Sequence, residues 1–210
     1  FEGITTLFLP HFARICEALP AIGPVRQVSC SFCQYSSKYD ALKAGQTPNV
    51  FNPAFAGGAL MDINLYNLYL VYGLFGMPQA VHYHARRHAN GIDLGGVAVL
   101  EYPGCIAACT GAKDSQGENG AQIIGEKGRI LVENPVSMCT RVTVVTDAGE
   151  QIFDEQQGET AWYWEMQGIA ALVRAGDLAE CRRRMAKTVE MAALLERARQ
   201  DAGITFPDAE

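Results

Sequence analysis

No glycine-rich phosphate loop occurs in this sequence: neither G-x-G-x-x-G nor G-x-x-x-x-G-K-[ST] appears among its 210 residues. The usual cradle for a dinucleotide pyrophosphate or a nucleotide phosphate at a helix N-terminus is therefore missing. Excess positive charge is missing too. Lys and Arg number 17 against 23 Asp and Glu, a net charge of −6, which argues against a broad nucleic-acid footprint. No apolar run of membrane-spanning length is free of polar residues. Residues 57–76 come closest, and Asp62, Asn64 and Asn67 spoil them as a span. The N-terminus lacks the basic, apolar and small-residue order of a signal peptide. C-x-x-C occurs once, at Cys30 and Cys33. On a strand those two side chains point to opposite faces, which is wrong for shared metal ligation.

What is present is globular. Apolar residues make up 49% and charged residues 19%. A chain of this size hides roughly 70% of the surface its unfolded form exposes, and no strong interior boundary divides it, so 1–210 reads as one domain. The seven cysteines read as reduced thiols of a cytoplasmic protein. The first residue is Phe1 rather than methionine, as expected of a piece of something longer.

Apolar spacing predicts a helix over "HFARICEALPAIG" and a half-buried strand over "PVRQVSCSFCQYS". Residues 36–56, with Gly45, Pro48 and Pro53, read as a long loop with one helical turn, and long loops in compact domains are often functional. Residues 57–76, "GGALMDINLYNLYLVYGLFG", read as a nearly all-apolar helix. "QAVHYHARRH", "LGGVAVLEYPG", "CIAACTGAKDS", "AQIIGEKGRILVEN" and "TRVTVVTDAGEQIFDE" read as consecutive strands split by turn signals. Two helices close the order, one with Thr160 as N-cap and one opened by a capping box at Asp177 and Glu180, with Gly203 as its stop. The fold class is α+β: a large, open, mostly antiparallel sheet with helices on one face.

Chemistry-bearing groups are few. His82 and His84 of "HYHARRH" share one strand face, and His88 follows. The set suits a transition metal, but Arg86 and Arg87 repel a cation, so a small metal enzyme is the weakest reading and no metal is expected. The arginines at 182–184 read as a solvated helix face. Trp162 and Trp164 are expected to pack the start of their helix on the sheet. Asp62 and Tyr66, at i and i+4, share a helix face. Side by side, a carboxylate and a phenol can hold and exchange protons with a substrate hydroxyl; the same spacing fits a buried structural pair.

"GGALMDINLY" resembles the G-G-x-L-x-D-x-x-x-[H/Y] segment of the Gfo/Idh/MocA (glucose-fructose oxidoreductase and inositol dehydrogenase) family. "FEGITTLFLPHFARICEALPAIGPVRQV", "GAQIIGEKGRILVENP" and "TVEMAALLERARQDAGITFP" resemble other stretches of its C-terminal domain, in order. The resemblance implies a dihydrodipicolinate-reductase-like C-terminal domain whose N-terminal Rossmann partner is absent from this chain. NAD or NADP would serve the full-length protein, with no cofactor-binding residue expected in this piece. It implies that Asp62 orients the substrate and Tyr66 is the acid/base, while the family's E-K-P lysine would precede Phe1. It places Lys38, Tyr39, Phe51 and Asn52 at the border of the substrate pocket. The implied activity is oxidation or reduction at a secondary alcohol or carbonyl of a sugar, polyol or similar small molecule. With helices on one face only, apolar strand residues such as those of "GGVAVLEY" and "RVTVVT" would lie open on the other, so a homodimer or tetramer joined through the open sheet face is expected. A non-catalytic sensor or assembly module of the same fold is the alternative.

Overall fold

Period-two alternation of buried and exposed side chains builds a single eight-stranded sheet. In the computed structural model, residues 1–154 and 159–207 are described. The strands are β1 (Val25–Cys33), β2 (Ala80–Arg87), β3 (Asp93–Tyr102), β4 (Cys105–Ala112), β5 (Gly120–Gly125), β6 (Gly128–Glu133), β7 (Arg141–Thr146) and β8 (Gly149–Phe153). Their order across the sheet is β2-β3-β4-β1-β5-β6-β7-β8. Every neighbouring pair is antiparallel except β1 and β4. The parallel pair has a plain cause. The chain leaves β1, lays down the loop, the central helix, β2 and β3, and only then returns beside β1, the long crossover that parallel pairing needs. The expected strand segment 140–155 ends on residue 155, outside the described residues.

One face carries Val28, Cys30, Phe32, Ala107, Cys109, Ile123 and Ile130, all buried. Helices α1 (Pro10–Ala18), α3 (Leu65–Phe75) and α5 (Leu178–Asp201) pack there or along its edge; α2 (Tyr39–Lys43) lies in the loop and α4 (Ala161–Ala175) near the end. In α3, Leu68, Tyr69, Leu70 and Val71 are all buried, which is why the helix is apolar all round. Each such side chain contributes about 1.5–3 kcal/mol relative to exposure. The opposite face carries the exposed His82, His84 and Ile106 beside the half-buried Ser29, Ser31 and Thr110. At the sheet edge α5 covers β2: Asp201 Oδ2 accepts from the Tyr83 N–H at 2.8 Å and Arg87 Nη1 donates to the Gly203 carbonyl at 3.0 Å. Edge strands left open invite other chains.

The predicted caps are made. Thr160 Oγ1 accepts from the Tyr163 N–H and Asp177 Oδ1 from the Glu180 N–H, and Gly203 takes φ +65°. Three expectations need correction. The segment 57–76 is no uniform α-helix: a π-helical turn, Leu60–Asn64, precedes α3. Trp162 is 64% exposed, and α4 packs on the N-terminal turn Thr5–Leu7, with Trp164 alone of the two tryptophans against the main core. Of the three arginines only two form a solvated face; Arg184 pairs with Glu180 and lies 4.6 Å over the Phe8 ring, a cation–π contact.

Candidate functional site

Gly57 and Gly58 open the central helix because nothing larger fits. A Cβ on Gly58, at φ +134°, would stand 2.1 Å from Asp93 Oδ1. That close approach puts the Asp93 carboxylate under the first turn, where Oδ2 accepts from the Leu60 N–H at 2.7 Å and the Tyr83 hydroxyl at 2.5 Å. Asp93 is 1% exposed. Burial raises its pKa, while the two hydrogen bonds and the charge of Lys113 pull it back.

The π turn that follows is pinned to β4. Asn64 Nδ2 donates to the Cys109 carbonyl at 3.0 Å, and Asn67 Nδ2 to the Thr110 carbonyl at 3.0 Å and to Asn64 Oδ1 at 2.9 Å. Gly111 leaves the room: a Cβ there would stand 2.6 Å from Asn64 Cβ. Asp62 lies within this turn, and π turns inside helices are common at functional sites.

Asp62 pairs with Lys113. The two ends differ in burial: the Asp62 side chain is 43% exposed and Lys113 only 3%. The ammonium lies 5.0 Å from the centre of the Phe51 ring, and Lys113 is fixed at both backbone ends, donating to the Leu94 carbonyl and accepting from the Ser36 N–H, each at 2.8 Å. Tyr66 is half-buried, its ring 6.2 Å from that of Phe32. Its pKa is raised, first by burial and then by the negative charges of Asp62, Glu165 and Glu2. The site therefore holds a protonated phenol next to a carboxylate that has a buried cation behind it and solvent in front.

The loop residues fare unequally. Lys38 is exposed just before α2. Tyr39 is half-buried between Tyr35 and Phe51, at 5.4 and 6.0 Å between ring centres. Phe51 is 0% exposed, in a small core with Leu42, Ile92 and Leu94, with its ring against the Lys113 ammonium. Asn52 turns its Oδ1 to the Ala54 N–H at 3.0 Å, a local turn bond. The histidines disperse. His82 Nδ1 lies 3.3 Å from Asp201 Oδ1, and His88 Nδ1 lies 2.9 Å from Asn90 Oδ1. Among the described residues no three His, Cys, Asp or Glu side chains stand together as metal ligands would.

Sequence reasoning passed over Lys113, Asp93 and Tyr83. For Lys113 a signal existed. In β4 the odd positions Cys105, Ala107, Cys109 and Gly111 face the core, and Lys113 continues that parity, a charge where the alternation calls for a small apolar residue.

The family profile described as the GFO/IDH/MocA C-terminal domain matches residues 18–131. The chain is 31% identical over 207 residues to the scyllo-inositol 2-dehydrogenase (NADP(+)) IolU of Bacillus subtilis, covering 98% of this chain and 63% of that protein. It is 37% identical over 175 residues to YgjR, an uncharacterized oxidoreductase of Escherichia coli, covering 82% of this chain and 53% of that one. The solved structure of an aldose-aldose oxidoreductase from Caulobacter crescentus, complexed with glycerol, superposes with TM-score 0.76 at 19% identity, over 96% of this chain and 61% of that one. The chain thus spans less than two thirds of these relatives. With its sheet, its glycine-opened helix and its Asp62–Tyr66 segment, the chain belongs to the Gfo/Idh/MocA oxidoreductase family, to whose C-terminal domain it corresponds.

Proposed function

We propose that this chain is the substrate-binding and oligomerisation domain of an NAD(P)-dependent oxidoreductase that interconverts a secondary alcohol and a carbonyl on a sugar, polyol or similar small molecule. The observation that carries the reading is the Asp62 carboxylate, open to solvent yet paired with the buried Lys113, one helical turn from the Tyr66 phenol. Similarity to an NADP-dependent inositol dehydrogenase supports the substrate class.

Among the described residues no glycine-rich strand-to-helix turn offers a pyrophosphate cradle. This reading assigns the nicotinamide cofactor to the rest of the full-length protein, and the chain alone is expected to be inactive. Its own residues handle the substrate. Asp62 accepts a hydrogen bond from a substrate hydroxyl and fixes the polyol. Tyr66 exchanges a proton with the reacting oxygen. Burial first, and then the carboxylates of Asp62, Glu165 and Glu2, favour the neutral phenol, so the chain by itself presents Tyr66 as a proton donor to a carbonyl. Taking a proton from an alcohol calls for a further cation beside the phenol. Tyr39 and the neighbouring loop residues Lys38 and Asn52 border the substrate in this reading, with Phe51 beneath them.

The full-length protein is expected to reduce NADP⁺ or NAD⁺ in the presence of scyllo-inositol, and this chain alone is expected to show no micromolar NAD(P)H binding by calorimetry. Absence of turnover across a panel of inositols and aldoses would reject the reading. The open sheet face, where Val97, Val99, Ile106 and Leu131 stand among Ser29, Ser31, Thr110 and Gln122, is the proposed contact between copies in this reading. Light scattering is expected to show a dimer or tetramer, and a monomer at high concentration would count against this.

A further inference from the structure

We infer that Lys113 is a positioning residue for the reaction: it ties down one oxygen of the Asp62 carboxylate, leaves the other to a substrate hydroxyl, and so fixes how Asp62 and Tyr66 present themselves together. The inference rests on the proton-exchange reading of that pair.

The first argument is cost. A buried ammonium is expensive unless it is paired and sheltered, and Lys113 is almost fully buried at a strand parity otherwise occupied by Cys, Ala and Gly. An apolar side chain would fill that place without the penalty, so packing alone does not explain a lysine. The second argument is construction. The loop between β1 and the central helix supplies a sheath for the ammonium. Phe51 lies under it, its carbonyl held by Asn90 Nδ2 at 2.8 Å, and the small core of Leu42, Ile92 and Leu94 supports the ring. The third argument is direction. The cation is hidden and the carboxylate exposed, so Lys113 reaches the substrate side only through Asp62. The backbone around Asp62 is already fixed from below by the Asp93–Leu60 and Asn64–Cys109 hydrogen bonds. Lys113 adds the remaining restraint, on the side chain itself. Aiming a polar group before the substrate arrives is the common way in which a site lowers its barrier.

Two measurements test this. The first needs no substrate. Tyr66 is faced by Asp62 from its own helix, Glu165 from α4 and Glu2 from the N-terminal segment. Removing the cation behind Asp62 leaves that negative charge less compensated. In this chain labelled with 3-fluorotyrosine, with Tyr66 assigned by Tyr66→Phe, the ¹⁹F titration midpoint of Tyr66 is expected to rise by about half a pH unit in Lys113→Met. It is expected to fall in Asp62→Asn, and Lys113→Met is expected to move it less in that background than in wild type. Lys113→Arg, which keeps the charge, serves if Lys113→Met does not fold; its midpoint is expected to match wild type. A folded Lys113→Met with an unmoved midpoint, or a shifted Lys113→Arg, overturns the inference. The second measurement uses the full-length protein with scyllo-inositol and NADP⁺. Lys113→Met is expected to lower kcat/KM by roughly 10- to 100-fold in the wild-type background. It should change it less than about twofold in the Asp62→Asn background. Equal losses in both backgrounds would show a structural role and overturn the inference. If the wild-type protein does not turn over scyllo-inositol, the substrate assignment fails and the fluorine titration still decides on Lys113.

Discussion

Full-length protein carrying Tyr66→Phe is expected to fold and bind its polyol much as wild type does, while kcat falls by roughly 10²- to 10⁴-fold. The substitution removes one oxygen. The ring, half-buried and 6.2 Å from that of Phe32, stays to pack as before, so little stability should be lost. What disappears is the proton that a carbonyl oxygen must receive as it becomes an alcohol, and at 1.36 kcal/mol per decade the loss corresponds to about 3–5 kcal/mol of barrier. Asp62→Asn separates the roles. It keeps the shape but halves the interaction with Lys113 and with a substrate hydroxyl, so KM should rise as kcat falls. Steady-state kinetics and melting temperature, measured on the same preparations, check both. Wild-type turnover in a well-folded Tyr66→Phe protein would sink the catalytic reading. Unaltered turnover per folded molecule with a melting temperature several degrees lower would identify the pair as structural.

The contrast between what the chain announces and what it hides follows range of interaction. The strands announce themselves through alternation, as in β4, where Cys105, Ala107 and Cys109 are buried and Ile106 is 54% exposed. Caps are equally local: Asp177 and Glu180 sit three residues apart and meet. The pairing of β1 with β4 is not local, because it depends on everything laid down between them. Nor is the π turn. Its apolar spacing is that of any helix, and it is set by Asp93, 33 residues from Leu60, and by the β4 carbonyl that holds Asn64, 45 residues away. The same holds for the cation beside Asp62. Family resemblance points to Asp62 and Tyr66, but Lys113 lies 51 residues from Asp62 in a stretch that reads as a strand end and turn. Nor is the setting of Phe51 local: the ring is buried with Leu42 of its own loop and with Ile92 and Leu94, some 40 residues on.

Gly111→Ala should couple this hidden architecture to the site. The added methyl would stand 2.6 Å from Asn64 Cβ, 2.9 Å from its Cγ and 3.3 Å from its Cα. The Asn64 side chain cannot simply swing aside, since its amide holds the Cys109 carbonyl and its oxygen accepts from Asn67. Relief must come from lifting the π turn off β4. Overpacking of this kind costs about 1–3 kcal/mol, and breaking the bond between buried Asn64 and Cys109 adds about 1–3 kcal/mol more if the carbonyl and amide go unpaired. Because Asp62 lies in the turn that moves while Lys113 stays with β4, their pairing should loosen as well. The expected result is a melting temperature lower by several degrees together with a loss of kcat/KM in the fraction that remains folded. Asn64→Gly in the same background, which removes the Cβ that the methyl meets, should restore part of the stability but not the activity, because the anchor to β4 would still be missing. Calorimetry on Gly111→Ala and on the double variant measures the first effect, and kinetics at a temperature well below both transitions measures the second. A Gly111→Ala protein that melts and turns over like wild type would show that the central helix is free to ride on the sheet, and that Asp62 is placed by something other than the β4 anchor.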